Sequence, residues 1–107
     1  MKTYSILQWN SWDEEKPENI LALIRETDPD IVCLQELTQN YEKQDYLDVP
    51  RFLAEKLDWN VHFHMAQYWP TANGDEVQGN AILSKHPLIN STHHFIQNLK
   101  HDNFDDY

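Results

Sequence analysis

Glycine is scarce in this chain. Only two occur in 107 residues, Gly74 and Gly79, so the turns and close approaches that need a missing Cβ concentrate at those two places. Cysteine is scarcer still. Cys33 is the only one, which excludes an intrachain disulfide and fits a reducing compartment. Cationic side chains are few: 8 Lys and Arg stand against 18 Asp and Glu, a formal charge of -10. A field of that sign repels phosphate polyanions and argues against tight non-specific nucleic-acid binding. A bound divalent cation would alter the local field only. Long apolar runs are absent. The opening "MKTYSILQWN" is interrupted at Gln8 and Asn10, so it lacks a signal-peptide core. No segment reaches the length of a membrane span. These absences lead us to expect a soluble, cytoplasmic protein.

What is present reads as one folded region over residues 1–107. The sequence is 40% hydrophobic and 12% aromatic, a composition that builds a core. "TYSILQWN" reads as a first strand. After the polar "SWDEEK", Pro17 suits the first turn of a helix. Ile20, Leu23, Ile24 and Thr27 follow at helical spacing, and Asp28-Pro29 ends the pattern. "DIVCLQE" reads as a central strand, apolar on both faces. Asp48 is placed to cap a second helix striped by Val49, Phe52, Leu53 and Leu57. "WNVHFHMA" alternates as a third strand. "QYWPTANGDEVQG" reads as a long loop with a turn at Asn73-Gly74. "NAILS" reads as a fourth strand, "LINSTHHFIQNL" as a weaker fifth, and residues 100–107 as a fraying tail. Strands joined by helix-containing connections allow parallel pairing, so the fold class is layered α/β with a mixed sheet.

The run "PDIVCLQE" ends a buried strand on an amide and a carboxylate. Asn10 occupies the same kind of position at the end of the first strand. In layered α/β folds, ligands collect beyond the carboxyl ends of strands. If the two strands are neighbours, Asn10 and Glu36 stand side by side. Their hard oxygens suit Mg²⁺, or Mn²⁺, which use few protein ligands and keep several waters. The plainer alternative is that Glu36 begins a solvated loop and Asn10 a turn.

Three segments together, "SILQWN", "PDIVCLQE" and "GNAILSKHPL", resemble the endonuclease/exonuclease/phosphatase superfamily. That is the fold of pancreatic-type DNase, abasic-site endonucleases, inositol-polyphosphate phosphatases and neutral sphingomyelinases. The resemblance implies half of a four-layer DNase-like α/β sandwich, and a Mg²⁺-dependent phosphodiester or phosphomonoester hydrolase. It implies that Glu36 matches the principal metal ligand of the family's N-terminal half. It implies that Asn10 serves the metal and phosphate site. Gly79 would permit close backbone packing.

The departures are equally informative. The family's second half carries a catalytic histidine in a "THL"-like strand, a "GDFN"-type segment and a final "SDH". None of them occurs here; "HDNFDDY" lacks the strand and the glycine, and His93 and His94 come too early. In the family, an Asp-paired histidine activates the attacking water. Without a positioned base, about 10²–10⁴ in rate is lost. Half a sandwich would also leave an apolar sheet face bare. We therefore expect a fragment of a longer protein, a partner supplying the C-terminal half, or a second copy of the chain packed face to face. The alternative function is a non-catalytic truncated module acting through such a partner.

Other features have two readings each. His62 and His64 point to one face of a strand, either to hold Zn²⁺ or as two half-exposed histidines. Tyr68 and Trp69 either stack on a substrate ring or cover an apolar edge. Trp9, Trp12 and Trp59 read as packing residues. The acidic "DEE" at 13 to 15 reads as a solvated loop before a helix.

Overall fold

The computed structural model describes residues 3–87. In chain order it has strand β1 (Ile6–Asn10), helix α1 (Pro17–Thr27), strand β2 (Ile31–Gln39), a short 3-10 turn (Glu42–Gln44), helix α2 (Val49–Leu57), strand β3 (Asn60–Thr71) and strand β4 (Gly74–Ser84). The strands form one mixed sheet in the order β1-β2-β4-β3. β1 and β2 are parallel, joined through α1; β4 is antiparallel to both its neighbours.

Local chemistry explains the helices. Pro17 stands in the first turn of α1, where its missing N–H costs nothing. Asp28 closes the helix in the left-handed conformation, its N–H donating to the Ile24 carbonyl at 2.8 Å. Pro29 then prevents continuation. In α2 the Asp48 carboxylate caps the start by accepting from the Arg51 N–H at 3.3 Å. Ile20 and Ile24 of α1 and Val49 and Leu53 of α2 are buried together with Val32, Leu34 and Leu37 of β2 and Ala81 and Leu83 of β4. Leu7, Trp9, Phe52, Trp59 and Phe63 pack around this cluster. Among the described residues, all helical cover therefore lies on one face of the sheet.

The opposite face is bare among the described residues. Register and alternation put Ile6, Gln8 and Asn10 of β1 on it, beside Ile31, Cys33 and Gln35 of β2 and Ile82 and Asn80 of β4. Ile6 is 64% exposed and Ile82 40% exposed. "DIVCLQE" is a central strand, as expected, and among the described residues the helices cover a single face of it.

Three expectations are revised. "QYWPTANGDEVQG" is not a long loop. β3 and β4 continue through it and pair up to Thr71 and Gly74, leaving a two-residue turn at Ala72 and Asn73. Pro70 falls within β3, an edge strand, where a residue without an N–H is tolerated. Gly74 takes the positive φ of 98° that the tight return requires. β2 also runs past Glu36 to Gln39, because the pairing with β4 resumes after a bulge. Trp12 is 66% exposed with φ 56°, so it does not pack in the core. The proposed fifth strand and the tail lie outside the described residues.

Gly79 fills the role its motif implies. It is buried between Leu37 and Met65. A Cβ built there would run into the His64 carbonyl oxygen and stand 2.8 Å from Phe63 Cζ. Only a glycine lets β3 approach β4 this closely.

Candidate functional site

The parallel register sets the geometry of the two predicted site residues. Asn10 is the partner of Gln35, the residue immediately before Glu36. Both strands run in the same direction, so both tips end at the same edge. Between Leu34 and Leu37 the β2–β4 pairing shifts by one residue, a bulge formed by Gln35 and Glu36. Leu34 and Leu37 both face the core, so the two residues between them are displaced toward the open face. Glu36 holds φ 63° there. That left-handed conformation costs a side chain of this kind about 1–2 kcal/mol. Strain of this sort clusters where a fold aims a side chain.

The two residues differ in what they have free. The Asn10 Oδ1 accepts the Trp12 N–H at 3.0 Å, fixing the chain as it leaves β1. Its amide N–H₂ makes no hydrogen bond with another described residue and is left pointing outward as a donor. Ser11 is buried beneath, its hydroxyl donating to the Gln35 carbonyl at 3.1 Å. This bond and the Ser11 N–H to the same carbonyl lock β1 to β2 at the site. The half-buried Glu36 carboxylate has no hydrogen-bond partner among the described residues. Asn10 also lines a shallow groove with Trp9, Trp12, Glu14 and Glu15.

The register adds Asn80, which no motif singled out, and His64, which the sequence pointed to only as a partner of His62. Asn80 of β4 lies opposite the bulge, and His64 of β3 is its partner on the other side. Asn10, Gln35 with Glu36, Asn80 and His64 therefore form one row across all four strands of the open face. Strand pairing is a long-range property, so no local spacing could reveal this row.

Beyond the row is a cleft of about 380 Å³ lined by Asp13, Thr38, Tyr41, Trp69, Glu76 and Gln78. Trp69 contributes to its wall, as the substrate-stacking reading requires; Tyr68, one residue away, faces solvent elsewhere. Thr38 is 4% exposed, and its Oγ1 is buried without a hydrogen-bond partner. Such an orphan costs about 1–3 kcal/mol unless a ligand or water satisfies it. The loop that carries Asp13 is held by Gln44, whose Nε2 donates to the Asp13 and Glu15 carbonyls at 2.8 Å each. Cys33, on the open face, has its thiol pKa pushed up by burial, which makes it a poor nucleophile at neutral pH.

No group of three or more His, Cys, Asp or Glu able to hold a metal occurs among the described residues. The Glu36 carboxylate is a hard oxygen donor with no hydrogen-bond partner among the described residues, whereas the Asn10 Oδ1 already accepts the Trp12 N–H.

Among the described residues, a mixed sheet backed by helices on one face, with polar strand ends gathered on the other, makes an α/β domain. The comparison with known families is consistent with that class. The profile described as "Endonuclease/Exonuclease/phosphatase family" matches residues 7–104, and the chain belongs to that family. A crystal structure of an endonuclease/exonuclease/phosphatase from Beutenbergia cavernae superposes with a TM-score of 0.64 at 22% identity, over 82% of this chain and 27% of that one. At that identity the likeness concerns the fold. The chain spans about a quarter of the length of that structure. No curated protein matches it.

Proposed function

We propose that this chain supplies the metal-site portion of a metal-dependent phosphoester hydrolase. One observation carries the reading: the parallel register sets Asn10 beside the Glu36 bulge, with the carboxylate unpartnered among the described residues. Glu36 would hold a Mg²⁺ or Mn²⁺ ion on a rigid strand rather than on a mobile loop. Once bound, such an ion neutralises charge on phosphoryl oxygens and on the leaving group. The outward N–H₂ of Asn10 would donate to a phosphoryl oxygen, while Trp12 N–H holds the other end of the amide in place. The half-covered cleft beyond Thr38 would take the rest of the substrate, with Trp69 as its apolar wall. Its Asp13 and Glu76 carboxylates, and the net charge of -10, favour a small or lipid phosphoester over long DNA.

The open sheet face supports a second layer. Ile6 and Ile82 present apolar surface where a sandwich would place its other sheet. Hydrolysis is therefore proposed for the assembly in which that layer, from more sequence, a partner or a second copy, faces this one and brings the proton acceptor. Titration of Mg²⁺ and Mn²⁺ into the chain by calorimetry, beside Glu36→Gln, tests the core of the reading. Loss of binding in the variant is the expected result. Equal binding by both proteins would remove Glu36 from the site and the phosphoester reading with it.

A further inference from the structure

We infer that His62 and His64 form a two-imidazole site for a borderline transition-metal ion, of the class of Zn²⁺, Ni²⁺ or Cu²⁺, on the open face of β3. The two histidines are separated by Phe63, which turns inward against the core. Strand alternation therefore sends both imidazoles to the same side. Their rings lie 4.1 Å apart at the centroids, inclined at 62°, and the two Nε2 atoms meet. Both histidines are half-buried. Strand β3 is itself fixed here by the tight approach of Gly79 to the His64 backbone.

Two imidazole nitrogens aimed at one point are a chelate. Zinc, nickel and copper bind imidazole nitrogen well, whereas Mg²⁺ and Ca²⁺ prefer oxygen. Metal–nitrogen bonds of about 2.0–2.1 Å would set the two Nε2 atoms roughly 3 Å apart, which a small outward turn of each ring achieves. With no third His, Cys, Asp or Glu grouped there among the described residues, water completes the coordination and the site stays open to an external ligand. The Glu36 bulge lies two strands away, about 10 Å across the sheet. Hard oxygens at one end of the row and imidazoles at the other would sort cations by softness. The net charge of -10 raises the local concentration of either kind. This inference is independent of the phosphoester reading.

The test has two arms. In the unmutated chain, labelled at histidine side-chain nitrogens, Zn²⁺ should shift the ring resonances of His62 and His64 together, and Mg²⁺ should not. In calorimetry with Zn²⁺, His62→Gln and His64→Gln should each weaken the binding at least tenfold, while His86→Gln and the double change at His93 and His94 leave it unaltered. Thermal melts of the variants report whether they fold. Ring resonances of His62 and His64 that stay put at saturating Zn²⁺ would overturn the site. So would binding that disappears with His93 and His94 instead.

Discussion

Consider replacing Gly79 by alanine. The added methyl would overlap the His64 carbonyl oxygen and sit 2.9 Å from its carbon and 2.8 Å from Phe63 Cζ. Ordinary carbon contacts lie at about 3.5–4.0 Å, so the β3 backbone must retreat from β4. The neighbours in that direction are main chain and a core ring, which yield far less readily than the end of a flexible side chain. Overpacking of this kind costs about 1–3 kcal/mol. Loosening one or two flanking ladder hydrogen bonds adds about 0.5–1.5 kcal/mol each. The sum, about 1.5–6 kcal/mol, corresponds to a fall in Tm of about 6–48 °C at about 4–8 °C per kcal/mol for a domain of this size. Thermal unfolding followed by circular dichroism measures it, with urea unfolding to show that the m-value is unchanged. A variant that melts within about 2 °C of the parent would refute the close approach of β3 and β4 at this point, and with it the strand row described above.

Comparing Glu36→Gly with Glu36→Ala isolates the backbone strain of the bulge. Glycine relieves the positive φ and alanine keeps it, so the glycine variant should be the more stable by about 1 kcal/mol in urea unfolding; the reverse order would place Glu36 outside the left-handed region. Asp48→Ala removes the cap of α2 and should cost about 1 kcal/mol, read as a lower urea midpoint. Acid sensitivity should trace in part to Asp30. The Ser5 backbone N–H at 2.9 Å holds its carboxyl below the ordinary range, against a smaller opposing effect of burial, with help from Lys85, the Ser5 hydroxyl and His86. A depressed folded pKa means stability that is present above the unfolded value of about 4 and lost as pH falls through the folded one. Asp30→Asn should therefore melt lower than the parent at pH 7 and converge with it toward pH 2; parallel melting curves over that range would rule the contribution out.

The helices were legible because their signals are local. Pro17, the Ile20 to Thr27 stripe and Asp28-Pro29 bound α1 within the sequence itself, and Asp48 announces α2 by the bond it makes. The adjacency of β1 and β2 was foreseen only conditionally, since pairing depends on residues far apart in the chain. The turn at Asn73-Gly74 was legible, but that β3 and β4 pair through the flanking residues up to Thr71 and Gly74 depends on long-range register, with Pro70 tolerated at the sheet edge. At the site, Asn10 and Glu36 were readable as polar ends of apolar runs. The bulge that reorients Glu36, and the arrival of Asn80 opposite it, follow from the β2–β4 register shift, which leaves no trace in the spacing of "DIVCLQE".

Pro70 has an effect on the company this molecule keeps. The outer margin of β3 presents main-chain groups to whatever drifts past, and a foreign strand would dock there first. Proline interrupts the row of donors near its far end, and the irregularity between Met65 and Gln67 breaks the flat template lower down. On the opposite margin, β1 offers only five residues. Sheet-to-sheet polymerisation is thereby discouraged at both borders of the described sheet.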